Sequence, residues 1–312
     1  MNVLLFREVP ERALADLRSE FDRCIFRTTT SPRQLAEWLD WPDVVFGNAP
    51  AALLTNATQL QWLQIVSSGF DDYWALAGSS VVVTTGHGVH APIIAQHVLL
   101  MFLLYVRGQR HFAVCQRHHH WDREPALPED PSALTVGLVG YGAVGREVAR
   151  LLSPLGTRVI ATKLTLESTP PDLDELLPWD RLDDLLAVSD HVILALPLSE
   201  ATRHLIDAPR LSRLKQGAIL HNVSRGQLVD ETALMDRLRS GHLGGASLDV
   251  FAQEPLAAES PLWDLPNVVI TPHVAGHHRD LGRLLLERFK ENLRRRLRGE
   301  PLRHVADFTR GY

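Results

Sequence analysis

The chain has 312 residues, 45% of them apolar and 22% charged, with a formal net charge of -5. That length suits two domains, and the composition is that of an ordinary globular protein. The acid excess gives no electrostatic case for nucleic acid, and the longest apolar run, Val98 to Val106, is too short to span a bilayer.

The sequence opens on an apolar segment, NVLLF, without a basic leader or cleavage site, so a cytoplasmic protein is expected. Strand-like and helix-like segments then alternate: strands at Asn2 to Phe6, Cys24 to Thr28, Val44 to Gly47, Leu63 to Ser67 and Val81 to Thr85, helices around Pro10 to Glu20 and Pro32 to Leu39. Such alternation predicts a small parallel sheet. APIIAQHVLLMFLLYVRGQR, from Ala91 to Arg110, reads as one long helix with Pro92 in its first turn. It is more apolar than a single solvent-facing helix requires, so burial between domains or subunits is expected. His118, His119 and His120 follow; neighbours on a helix point in different directions, and the run reads as a solvated helix end. The two cysteines, Cys24 and Cys115, have neither a disulfide framework nor a metal-ligand spacing, and no metal is expected. Asp122 to Pro131, with four acidic residues and three prolines, reads as a connector.

Beyond the connector the alternation restarts. Strands are expected at Leu134 to Val139, Arg158 to Lys163, His191 to Leu196, Ala218 to Val223, Gly245 to Val250 and Val268 to Thr271. Helices are expected near Ala143 to Leu152, Leu182 to Val188, Glu231 to Ser240 and Asp280 to Leu297, the last ending in the solvated basic run Arg294 to Arg298. Six strands with helical crossovers predict a doubly wound sheet.

The first of these strands runs into Gly140, Tyr141, Gly142, Ala143, Val144 and Gly145, and then a helix. In that setting G-x-G-x-x-G points to a dinucleotide: the glycines allow a tight turn, approach of backbone to a pyrophosphate, and close helix packing. The helix N-terminus would hold the phosphate charge.

Three more motifs follow strands of the same sheet, where ligands of open α/β folds bind. In NVSRGQLVDE, Arg225 can offer its planar fork to a carboxylate, or pair with Asp230 or Glu231. In LDVFAQEP, Asp249 ends a strand and Glu254 sits in a loop, where an acid is either solvated or engaged. In TPHVAG, His273 is either structural or an acid/base. His277 and His278, just beyond, could line a cleft.

GYGAVG, NVSRGQLVDE, LDVFAQEP and TPHVAG, in that order, resemble the D-isomer-specific 2-hydroxyacid dehydrogenases, such as phosphoglycerate dehydrogenase and glyoxylate/hydroxypyruvate reductase. VSSGFD and GHGVHAPIIAQHVL resemble that family's substrate loop and interface helix, so the likeness covers nearly the whole chain. It implies an α/β fold of two Rossmann-like doubly wound parallel-sheet domains with a cleft between them. Residues 1–90 and 277–312 would form the flavodoxin-like substrate domain, and residues 91–276 the dinucleotide-binding domain. It also implies a homodimer built on the long helix, and hydride transfer between NADP or NAD and a small 2-oxo or 2-hydroxy acid.

Carried over by motif, Arg225 would bind the substrate's carboxylate and carbonyl, His273 would be the acid/base, and Glu254 its partner. Asp249 would contact the nicotinamide carboxamide. Thr162, Lys163, Leu196, Pro197, Val223 and Ser224 would surround the cofactor, and the amides of Ser68 and Gly69 would complete the carboxylate pocket. The chemistry agrees: a carbonyl oxygen that becomes an alkoxide needs a proton donor, and a carboxylate beside a histidine favours its charged form and fixes its ring.

Departures sharpen the reading. Relatives that use NAD typically end the second strand of the dinucleotide fold with Asp, which bonds the ribose hydroxyls. Here Lys163 stands there and would attract a 2'-phosphate, which favours NADP, unless Glu167 serves the ribose instead. Gln96 replaces a common Glu and Ala195 a common His or Cys. Glu254 argues against formate dehydrogenase, which shares the architecture but pairs its histidine with Gln. A dinucleotide-sensing corepressor of the same fold can keep the catalytic trio; the 312 residues show no long disordered flank of the kind that recruits partners, and feedback through an added regulatory domain is not expected. Phe70, Tyr73 and Trp74 could admit a bulky substrate or belong to the core.

Overall fold

The computed structural model describes residues 1–123, 129–165 and 168–309. Residues 124–128 of the expected connector at 122–131 therefore fall outside the described residues, as does Glu167. The chain divides into two compact units, Met1–His90 with Arg279–Tyr312, and Ala91–His278.

The first unit holds a parallel sheet of β1 (Asn2–Leu5), β2 (Ile25–Thr28), β3 (Val44–Phe46), β4 (Trp62–Gln64) and β5 (Val82–Thr84), in the order β2-β1-β3-β4-β5. That is the flavodoxin-like order, in which the first strand lies inside the sheet. Its helices are α1 (Glu11–Glu20), α2 (Pro32–Glu37), started by Ser31 accepting from Gln34 N, and the single turn α3 (Ala51–Leu54). The last helix of the chain, Leu281–Leu297, closes this sheet. Phe289 stacks on Phe46 at 4.5 Å and on Trp62 at 5.3 Å, and the fully buried Asn292 donates to Gln64 Oε1 at 2.9 Å.

The second unit begins with α4 (Ala91–Val106) and α5 (Gln109–Arg117). The single helix expected to Arg110 is in fact two, bent by 71°, because Gly108 takes a left-handed conformation at φ 64° that ends the first. Among the described residues no single helix is long and apolar enough to cross a membrane.

Next come β6 (Thr135–Val139), α6 (Ala143–Leu152), β7 (Arg158–Lys163), β8 (Glu175–Pro178), α7 (Leu182–Val188), β9 (His191–Leu194), α8 (Ala208–Arg213) and β10 (Ile219–Asn222). The unit ends with α9 (Glu231–Arg239), β11 (Gly245–Leu248) and β12 (Val268–Ile270), and α10 (Leu281–Leu297) follows in the first unit. All strand pairs are parallel, in the order β12-β11-β10-β9-β6-β7-β8. This is a Rossmann arrangement with a switch point between β6 and β9. It has seven strands where six were expected. β8 escaped because it is a short edge strand of Glu, two Leu and Pro, and an edge position tolerates the missing proline N–H.

A buried pair of imidazoles crosses the core of this unit. His191 on β9 and His221 on β10 are 2% and 0% exposed, with His191 Nδ1 3.0 Å from His221 Nε2. Phe102 lies 4.8 Å from the His191 ring and Tyr105 5.9 Å from that of His221. Burial pushes His191 down to about 4, against a smaller opposing pull from Asp190, and holds His221 well below the usual histidine range. Both rings stay neutral in the fold but charge in the unfolded chain below about pH 6.5. Stability is therefore complete above that pH and falls as pH drops from about 6.5 toward 4, by about 3 kcal/mol through His191 alone. Denaturant titrations at steps across this window measure the slope; replacing both rings, His191→Leu with His221→Leu, is expected to flatten it.

Candidate active site

One row of paired residues crosses six strands of the second sheet. Thr162 pairs with Val139, Val139 with Leu194, Leu194 with Asn222, Asn222 with Leu248, and Leu248 with Ile270. Lys163, Gly140, Ala195, Val223, Asp249 and Thr271 are each the next residue in their strands, so every motif of the unit emerges at one edge. With strands about 4.8 Å apart, the glycine turn lies about 5 Å from the strand of Lys163 and about 10 Å from the strand that leads to Arg225.

The glycine turn is built for close approaches. Gly140 has φ 100°, and a side chain there would meet the Ala195 carbonyl oxygen at 2.6 Å; one on Gly145 would meet the Gly140 oxygen at 2.5 Å. A side chain on Gly142 would meet nothing within 4 Å, so this stretch of backbone is open to an approaching group. α6 begins at Gly142 without a side-chain cap, whereas Asp207 caps α8 and Asp230 caps α9. Its first N–H groups are thus left for an anion, and the turn fits a dinucleotide's pyrophosphate. Tyr141 and Thr162 are 2% and 0% exposed, so both side chains are buried; Thr162 Oγ1 has no hydrogen-bond partner among the described residues. Lys163 is half-buried at the end of β7, Leu196 is buried, Val223 half-buried and Pro197 exposed.

Arg225 sits in a loop tied down by Asn222. The buried Asn222 accepts from Ser224 N at 3.1 Å and donates to the Arg225 carbonyl at 2.9 Å, while Ser224 Oγ donates to Leu194 O at 2.9 Å. Arg225 Nη1 donates to Ser224 O at 2.8 Å. Gly226 follows, where the backbone of Phe251 leaves no room for a side chain. Of the two acids next in sequence, Asp230 accepts from Ala233 N as a helix cap, and Glu231 accepts from Ala252 N.

His273 Nδ1 lies 2.7 Å from Glu254 Oε2, and the other oxygen of that carboxylate accepts from Phe251 N at 3.0 Å. Glu254 is therefore an engaged acid rather than a solvated one. The bond at Nδ1 fixes the ring and leaves Nε2 for a substrate. His273 has φ 54°, a left-handed conformation costly for a residue with a side chain. Asp249 holds it there. Its oxygens accept from Thr271 Oγ1 at 2.6 Å, Val274 N at 2.9 Å and Ala275 N at 2.9 Å, and its carbonyl accepts from His273 N at 2.8 Å.

The anchoring work of Asn222 and Asp249 is not announced in the sequence. Both are polar residues at the end of an apolar strand, which is the available signal, but their partners are backbone groups whose positions only the fold sets. In the first unit, Ser68 is exposed and Gly69 half-buried in the loop after β4. Phe70 and Tyr73 belong to the core, Tyr73 donating to Ala49 O at 3.1 Å, while Trp74 is half exposed against Phe308.

Residues 99–275 match the family model described as D-isomer specific 2-hydroxyacid dehydrogenase, NAD binding domain. The (S)-sulfolactate dehydrogenase of Chromohalobacter salexigens is 36% identical over 226 residues, covering 72% of this chain and 73% of the relative. The glyoxylate reductase of Korarchaeum cryptofilum is 31% identical over 315 residues, covering 96% and 93%. Among solved structures, the NADPH-dependent glyoxylate/hydroxypyruvate reductase of Sinorhizobium meliloti in complex with NADP and sulfate superposes with a TM-score of 0.88 at 28% identity, covering 100% of this chain and 99% of that one.

Proposed function

The chain belongs to the D-isomer-specific 2-hydroxyacid dehydrogenases, and from that premise we propose how its own residues share the interconversion of a small 2-oxo acid and its D-2-hydroxy acid. When bound, the nicotinamide dinucleotide supplies or accepts the hydride. Arg225 takes the substrate's carboxylate with its planar fork and polarises the carbonyl. The amides of Ser68 and Gly69 serve the same carboxylate. His273 delivers a proton from Nε2 to the carbonyl oxygen as it becomes a hydroxyl, and removes it in the reverse direction. Glu254 holds the ring by Nδ1 and offsets its positive charge. Gly140, Gly142 and Gly145 cradle the pyrophosphate, with the backbone of Tyr141, Ala143, Val144 and Thr162 and the residues Leu196, Pro197, Val223 and Ser224 around the rest of the cofactor. Asp249 Oδ2, which accepts only one of the three bonds to its carboxylate, has capacity for the carboxamide N–H. The observation that carries this reading is the 2.7 Å pair of His273 and Glu254 on the same sheet edge as the uncapped glycine turn.

The preferred cofactor is NADP. Lys163 ends the strand beside the glycine turn and brings a positive charge to the ribose position, where an acid would repel a 2'-phosphate. We also propose a homodimer assembled through α4 and α5, where Leu100, Val114 and Trp121 are 58%, 54% and 83% exposed, and a cytoplasmic location, which suits two unpaired cysteines.

NADPH and NADH oxidation on a panel of 2-oxo acids, including glyoxylate and hydroxypyruvate, tests both points. Turnover with a kcat/KM preference for NADPH is expected, and Lys163→Asp should lower the NADPH value by about tenfold or more, corresponding to loss of about 1.4 kcal/mol. No turnover on any acid would overturn the mechanism, and a clear NADH preference the cofactor assignment.

A further inference from the structure

The segment after the α4 bend gathers side chains that the dehydrogenase site does not use. His111 and Cys115, four apart on α5, share a face of that helix. Beyond it His119, at φ 53°, reverses the chain, with His118 N and His120 N both bonded to the Cys115 carbonyl, and Asp122 returns to the same face. His111 Nε2 lies 3.2 Å from Cys115 Sγ and 3.3 Å from Asp122 Oδ2, and the three donor atoms fall within 4.8 Å of one another. Cys115 is 8% exposed and the other two are half-buried. His120 Nε2 is 4.0 Å from the same Asp122 oxygen.

The way these atoms converge decides what they can do. In a nucleophile relay, thiol and carboxylate sit on opposite nitrogens of the imidazole, so that one accepts and the other donates. Here both approach Nε2, which carries either one proton or one lone pair and can satisfy one neighbour at a time. A cation between the three atoms can take a lone pair from each of them at once. Bonds of about 2.0–2.3 Å from zinc to nitrogen, oxygen and sulfur put tetrahedral ligands about 3.3–3.8 Å apart; the two distances from His111 Nε2, 3.2 and 3.3 Å, lie at the lower end of that range, and the third pair lies within 4.8 Å. A set of one sulfur, one or two imidazoles and one carboxylate suits zinc and its neighbours rather than magnesium or calcium.

We propose that Cys115, His111 and Asp122 form a binding site for a zinc-type divalent ion, with His120 or water as the fourth ligand, clamping the end of α5 to the chain beyond it. The Cys115 proton leaves to solvent as the thiolate binds. No local spacing in the sequence marks this set, because its members are spread over positions 111, 115 and 122 and meet only through the turn at His119.

The test uses the full chain with any affinity tag removed, stripped with a chelator and titrated with zinc(II) or cobalt(II). About one equivalent per chain should bind, and cobalt should give a thiolate-to-metal charge-transfer band with the visible absorption of a tetrahedral ion. Cys115→Ser should abolish that band while Cys24→Ser keeps it. Cys115→Ser and His111→Ala should each weaken zinc binding by about tenfold or more, since a direct ligand matters at least as much as an outer-shell partner. The double variant His118→Ala with His119→Ala should bind like the parent. Absence of stoichiometric binding, a parent cobalt spectrum without a thiolate band, or binding lost with His118 and His119 but kept in Cys115→Ser would each overturn the site. Because the parent spectrum reports thiolate ligation by itself, a variant that fails to fold does not hide the answer.

Discussion

His273→Ala is expected to lower kcat for 2-oxo acid reduction by about 10²- to 10⁴-fold, the range associated with removing a general acid, while the affinity for the dinucleotide stays within a fewfold. The split follows from position. The glycine turn and Lys163 leave β6 and β7, whereas His273 follows β12 at the far side of the sheet row. Stopped-flow or steady-state rates together with fluorescence titration of the dinucleotide measure the two quantities separately. Equal loss of kcat and cofactor binding would mean that the variant disturbs the fold around Asp249 rather than the proton transfer.

Glu254 refines the same prediction. Its two oxygens each accept a bond, one from His273 Nδ1 and one from Phe251 N. An amide has a single accepting oxygen, so Glu254→Gln leaves one of these donors facing an NH2 group whenever Nδ1 carries a proton, as it does in the charged imidazole that forms each time His273 takes up a proton. An unsatisfied donor costs about 1–3 kcal/mol, which places the expected loss of kcat/KM at about tenfold or more. This is a physical reason for an acid at a position where formate dehydrogenases carry Gln.

The parts legible in the sequence are those where local chemistry and position coincide. Both sheets announced themselves because parallel strands are continuous apolar runs with glycine or polar punctuation at their ends, and the residues proposed to meet ligands stand at or just past that punctuation: Gly140 after Val139, Ser224 and Arg225 after Asn222, Asp249 after Leu248. Arg225, Glu254 and His273 could be named because their motifs recur in order. The illegible parts depend on partners distant in sequence. Asp249 could be placed beside a cofactor by resemblance, but its bonds to Val274 N and Ala275 N require the next strand to be in register. The break at Gly108 falls in the polar stretch Arg107 to Arg110, just past the apolar run that ends at Val106, where local sequence allows a helix either to stop or to continue, and with it goes the second helix that brings His111 beside Cys115. Lys163 is readable as a charge, yet the other candidate for the ribose, Glu167, lies outside the described residues.

The second large effect is expected at Gly226, which shows how tightly the loop of Arg225 and the loop leading to Glu254 are laced. A methyl group there would lie 1.8 Å from the Phe251 carbonyl carbon and 2.2 Å from Ala252 N, both backbone atoms that no rotamer change can move aside. Gln227 Nε2 also donates to Ala252 O at 2.9 Å, so the loop of Arg225 and the loop leading to Glu254 cannot part without losing bonds. Gly226→Ala should cost about 3 kcal/mol or more, the upper end of overpacking, seen as a fall in Tm of roughly 10 °C. In the fraction that remains folded, Arg225 is displaced relative to Glu254 and His273, and a misplacement of about 1 Å can cost about 10²-fold in rate. Gly142→Ala gives the opposite pattern, because a methyl group there meets nothing within 4 Å and the backbone is extended at ψ -151°. Its Tm should stay within a few degrees of the parent while dinucleotide affinity falls, since the methyl projects into the side left open for the pyrophosphate. A Gly226→Ala protein with parent-like Tm and kcat would show that these loops are not packed against each other, and a Gly142→Ala protein with unchanged dinucleotide affinity would remove that glycine from the phosphate cradle.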